Sequence, residues 1–139
     1  MERIAMMVAL GMMALQAGSE RFAGAWTAEF SGKTFVRLEL TVTRGTLSGT
    51  ISLGDIELDA KGDVKHAESA PPRATPIFEM TVRASTLAFS RKDGRDTDHF
   101  EMRLAGGAAE LLFKPTAEDL KELAEGGLPA PKPILLKRK

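Results

Sequence analysis

From Thr34 to Thr43 the chain alternates. Val36, Leu38, Leu40 and Val42 share one face, while Arg37, Glu39, Thr41 and Thr43 share the other. A period of two marks a half-buried strand. Arg44-Gly45 supplies a tight turn, and Leu47, Ile51 and Leu53 carry the apolar face through a second strand over 46–53. Gly49 falls in that apolar row, where it predicts a bulge or a sharp bend. Gly54-Asp55 turns the chain into a strand with Ile56 and Leu58 inward, Lys61-Gly62-Asp63 turns it again, and residues 64–68 read as an edge-like strand. After a loop marked by Pro71, Pro72 and Pro76 the alternation resumes. Phe78, Met80 and Val82 point inward, then Leu87 and Phe89, then Phe100, Met102 and Leu104, then Leu111 and Phe113. Asp93-Gly94 and Gly106-Gly107 are the hairpin signals between them.

Turns at roughly 8–12-residue spacing, with one apolar and one polar face on nearly every strand, predict an all-β fold with antiparallel pairing. The expectation is an up-and-down β-barrel of about eight to ten strands. All seven prolines lie after residue 70, so the proline-free stretches 24–70 and 77–114 are where the sheet belongs. One short helix is predicted over 116–125: Thr116 and Asp119 form a capping box, and Gly126-Gly127 ends the run. Its narrow apolar face places it outside the barrel. Residues 129–133 form a stiff proline linker. Ile134 to Arg138 is read as a last strand that returns to pair with the first, Gly24 to Phe30, and removes the sheet's edges. The alternative is a frayed apolar tail.

The N-terminus departs from this pattern. Ile4 to Leu15 is uncharged and apolar, Arg3 precedes it, and Gln16-Ala17-Gly18-Ser19 follows. A charged start, a short apolar run and a small-residue stretch read as a secretory signal peptide over 1–19, with cleavage after Ala17 or Ser19. The run is shorter than the roughly 20 residues that span a bilayer. A buried N-terminal helix or a retained anchor is the alternative. The mature barrel domain then covers 20–139, and its location is periplasmic or extracellular. Five of the seven methionines belong to this segment, so the barrel does not have a Met-rich core.

Charge and cysteine usage remove several functions. Lys plus Arg and Asp plus Glu are 19 each, which argues against a broad basic surface and a nucleic-acid partner. Cys is 0, so there is no disulfide framework or thiol nucleophile. The two histidines, His66 and His99, fall short of a zinc site. Asp93, Asp96 and Asp98 cluster on a hairpin turn. Their spacing is not that of an EF-hand, and a solvated turn is the preferred reading, with weak metal binding left open. No G-x-S-x-G elbow occurs, and Asp98 and His99 are strand neighbours that face opposite ways. The expectation is no cofactor, no metal and no catalytic role. Lys137, Arg138 and Lys139 form a basic end, with a solubilising terminus as its default reading.

Gly24-Ala25-Trp26 is a G-x-W at the start of the first strand. It resembles the opening motif of the lipocalins and related calycin-type barrels, and the short helix after the barrel strands is similar to their plan. The resemblance implies that Trp26 plugs one end of the barrel and meets a basic residue from a late strand. Arg138 is the candidate if the last strand closes. The longer pattern is similar to uncharacterised exported bacterial domains, which carry no known chemistry. The functional expectation is an exported monomer that binds a small apolar or amphipathic ligand in the barrel mouth, with Trp26, Phe78, Phe89 and Phe100 as lining residues. No membrane span is expected in the mature chain. The alternative is a filled barrel that serves as an interaction or stabilising module for an exported partner such as a hydrolase.

Overall fold

The alternating segments become ten strands: β1 (Gly24–Phe30), β2 (Lys33–Thr43), β3 (Thr46–Leu53), β4 (Ile56–Leu58), β5 (Val64–Ala67), β6 (Thr75–Arg83), β7 (Thr86–Asp93), β8 (Asp96–Ala105), β9 (Ala108–Phe113) and β10 (Ile134–Arg138). One helix, α1 (Ala117–Glu125), lies between β9 and β10. These assignments come from a computed structural model that describes residues 18–127 and 131–139. Residues 1–17, where a signal peptide is expected, and residues 128–130 of the linker lie outside the described residues.

Eight strands close an antiparallel barrel in the order β1-β2-β3-β6-β7-β8-β9-β10, and β4 and β5 form a separate two-stranded sheet. Neighbours in the barrel are neighbours in the chain except at the β4–β5 insertion, so the fold is an up-and-down barrel. The last strand closes it through Trp26↔Arg138 and Thr27↔Lys137. Leu38, Ile51, Leu87, Phe89, Phe100, Met102, Leu111 and Leu136 are fully or almost fully buried and fill the middle. Each such side chain contributes about 1.5–3 kcal/mol of burial. Phe89 and Phe100 stack with centroids 5.3 Å apart, and Phe113 tilts against Phe100 at 5.1 Å.

Two details of register in the barrel differ from strict alternation. On β6, Phe78 pairs Ser90 and Thr81 pairs Ala88, so two residues oppose Phe89 alone. Glu79 takes φ 52° at this bulge. The extra residue flips the face: Ile77, not Phe78, is buried before the bulge, and Met80 and Val82 meet the core after it. On β2, Val36 pairs Ala28 while Thr34 pairs Glu29. Phe35 is the extra residue, and both Phe35 and Val36 are buried. Gly49, by contrast, sits at no bulge; β2 and β3 pair without a break from Val36↔Leu53 to Thr43↔Thr46. A Cβ there would lie 2.3 Å from the Glu39 carbonyl oxygen and 2.8 Å from Leu40 Cδ2, so glycine is needed because β2 crosses too closely for any side chain.

Ile56 and Leu58 also depart from the barrel-strand expectation. They belong to the outer β4–β5 hairpin, and Leu58 is exposed. Pro76 lies in β6, opposite Thr50, at one of only two residue pairs that join β3 to β6. The helix follows its capping box: Thr116 Oγ1 accepts from the Asp119 N–H at 3.1 Å, and Asp119 Oδ2 accepts from the Thr116 N–H at 3.0 Å. No residue of α1 is buried, so it rides outside the barrel.

Candidate functional site

The barrel has one sealed end. Phe22 and Trp26 are both fully buried there. The Trp26 indole N–H donates to the Phe22 carbonyl at 2.9 Å, and the Phe22 N–H donates to the Ser19 carbonyl at 3.1 Å. The Arg138 guanidinium lies 4.4 Å from the Trp26 ring centroid and donates to the Arg21 carbonyl at 2.8 Å. A cation over an indole face is favourable because the ring's quadrupole is negative there. Gly24 takes φ 131°, a conformation that side chains disfavour, with the Arg138 side chain alongside it. Trp26 is thus a plug, and Arg138 is the base that covers it.

The other end is not sealed. Pairing between β1 and β10 stops at Thr27↔Lys137. Continued register would bring Glu29 opposite Leu135 and Ser31 opposite Pro133. Pro133 has no N–H to donate, and the bulge at Phe35 bends β2 beside the end of β1. The two strands leave a slot, and the β4–β5 hairpin lies over it. The resulting cavity has a volume of about 420 Å³. Ala28, Phe30, Phe35, Phe113 and Ile134 line it from the barrel, and Ile56 and Val64 line it from the hairpin. Glu29, Asp63 and Lys132 are its charged residues. Lys132 Nζ donates to Asp63 Oδ1 at 3.1 Å, which ties the proline strap to the hairpin turn. Asp59 Oδ1 holds that turn by accepting from the N–H groups of Lys61 and Asp63.

None of the four residues expected to line a ligand site borders this cavity. Trp26 is in the sealed end. Phe89 and Phe100 lie in the filled middle, Phe100 supporting Phe113 from below. Phe78 lies on the face opposite the core because of the bulge. Phe113 was legible as inward from alternation. Phe30 and Phe35 flank the Ser31-Gly32 turn, and no local pattern in the sequence marks them as mouth residues.

A second groove runs along the outer wall beside β7, β8 and the start of α1. Ser90 Oγ and His99 Nδ1 are 2.9 Å apart in it. Ser90 is buried, and among the described residues no carboxylate is paired with His99. The pair satisfies a buried hydroxyl rather than presenting a nucleophile. Asp98 is instead paired with Arg91 at 3.1 Å. No group of three or more His, Asp or Glu that could hold a metal occurs among the described residues. Nor is any described helix long and apolar enough to cross a membrane.

No family model, curated protein or solved structure matches this chain. The functional reading therefore rests on the geometry of the molecule.

Proposed function

We propose that the chain is an exported, non-catalytic barrel of lipocalin-like plan that binds a small apolar or amphipathic ligand at its open end. The observation that carries this reading is the 420 Å³ cavity between β1, β10 and the β4–β5 hairpin. Its size falls in the range of small-molecule sites, its walls are largely apolar, and its few polar groups sit at the rim. Binding would be driven by removal of apolar surface from water. The G-x-W at Gly24–Trp26 with Arg138 over the ring supports the lipocalin-like plan. The apolar segment before Gln16 supports export.

Trp26 is at the opposite end, so its fluorescence is a poor reporter. The test is an environment-sensitive naphthalene dye together with a panel of fatty acids and alcohols. The dye should brighten, and a ligand at about 100 times its Kd should stabilise the fold by about 2.7 kcal/mol. Ile56→Trp should fill the cavity from the lid and abolish dye binding, with unfolding free energy held within about 1 kcal/mol. A wild-type protein that leaves the dye dark, or an Ile56→Trp variant that binds it equally well, overturns the reading.

A further inference from the structure

The zero net charge conceals a segregation. The sealed end gathers the N-terminal approach to β1, the β2–β3 and β6–β7 turns, and the end of β10. Arg21, Arg44, Arg83, Lys137, Arg138 and Lys139 stand on these elements, and all are exposed. Glu20 is the single acid of the same stretches. None of the six bases is in an ion pair among the described residues. Arg103 is also at this end, but Glu101 lies 3.6 Å from it, so it is not counted among them. The opposite end has the reverse sign. Asp55, Glu57, Asp59, Asp63 and Glu68 surround the hairpin against Lys61 and Lys65, and α1 carries Glu118, Asp119, Glu122 and Glu125 against Lys121. A total of 19 bases and 19 acids therefore describes a molecule with a basic end and an acidic end.

We infer that the basic end docks on an anionic lipid surface. The form of the patch favours a plane over a pocket. Arg21 donates to the Ala84 carbonyl and Arg138 to the Arg21 carbonyl, so two guanidinium groups are held by the protein itself. The others stand exposed on separate turns and strand ends of the same barrel end. Such a layer suits a sheet of headgroups, with each base near an anionic surface strengthening partitioning about fivefold. Docking in this orientation leaves the acidic end and its cavity facing away from the membrane.

The test is sedimentation of the full chain with vesicles of pure phosphatidylcholine and of about one-third phosphatidylglycerol in phosphatidylcholine. The expected result is strong preference for the anionic vesicles at low salt, weakening as salt screens the charges. The triple variant R44Q/R83Q/K137Q avoids the Trp26 plug and should lower the anionic partition coefficient at least about tenfold. A triple variant at the other end, K61Q/K65Q/K92Q, should not. Equal sedimentation with both vesicles, sedimentation with neither, or equal effects of the two triple variants would overturn the inference. So would equally tight binding to duplex DNA at the same salt, which would make the patch a general polyanion site.

Discussion

The two ends of this barrel are built from the same alternating strands, yet one is plugged by a buried tryptophan, with a depression of about 400 Å³ outside the plug, and the other holds a more apolar cavity of about 420 Å³ under a hairpin. At the sealed end β1 and β10 are paired, Phe22 and Trp26 fill the opening, and Arg138 covers the indole. At the open end the same two strands are unpaired, and a hairpin anchored to β2 by the Gly54 and Ala70 N–H groups and to the strap by the Lys132–Asp63 ion pair covers the gap. The difference is one of pairing. A barrel end closes where the first and last strands exchange hydrogen bonds, and it opens where those bonds stop, here short of Pro133. Stability should therefore concentrate at one end and binding at the other.

The harshest way to break the comparison is to remove β10. Deleting residues 133–139 takes away Ile134, Leu136 and Arg138 and leaves β1 and β9 as open edges. The variant should lose cooperative thermal unfolding altogether. A normal melting curve would show that the seam does not hold the barrel.

Single substitutions at the two ends should then differ in size. Trp26→Ala empties a fully buried site and should cost about 3–5 kcal/mol in denaturant unfolding. Phe113→Ala removes a half-buried ring that touches Phe100, and should cost about 1–2 kcal/mol while weakening dye binding at the open end. Equal losses of stability would mean the two ends are equally structural. Arg138→Lys is a finer probe. It keeps the charge but loses the planar contact with the indole and the geometry of the bond to the Arg21 carbonyl, for an expected loss of about 1 kcal/mol and a shifted Trp26 emission.

Much of this arrangement was legible in the sequence. Period-two alternation located the barrel strands, the G-x-W marked the plug, and the apolar Ile134-Leu135-Leu136 after a proline linker marked the closing strand. Alternation failed where one residue was inserted. Nothing local distinguishes Glu79 from its neighbours, yet its bulge exchanges Phe78 for Ile77 at the core. It also failed where a segment alternated without joining the barrel. Ile56 and Leu58 have the right spacing, but the short β4 pairs only with β5. The cavity depends on where β1 and β10 part, which is a long-range register that no local pattern carries. Charge segregation was hidden for a simpler reason. A net charge sums over the whole surface, and an up-and-down barrel sorts its turns into two ends that the sum cannot separate.

The smallest effect concerns the lid over the open end. His66 Nε2 and Glu68 Oε1 are 2.8 Å apart at the end of β5. The hydrogen bond from His66, followed by the charges of Lys33 and His66, holds the Glu68 carboxyl below its ordinary value of 4.5. A depressed folded-state value fixes the sign. The contribution to stability is present above the unfolded pKa and is lost as pH falls through the folded one. The group is fully exposed, so solvent screening keeps the effect small. Acidification through this window should lower the amide protection factors of Val64–Ala67, which take out the intrinsic slowing of exchange by acid, without moving Trp26 emission, because the plug lies at the other end. His66→Leu, which removes the hydrogen-bond donor, should lower protection in Val64–Ala67 already at neutral pH, flatten its dependence on acid, and leave the melting temperature within about 1 °C. A Trp26 response in step with the lid would mean the two ends are coupled through the barrel wall rather than independent.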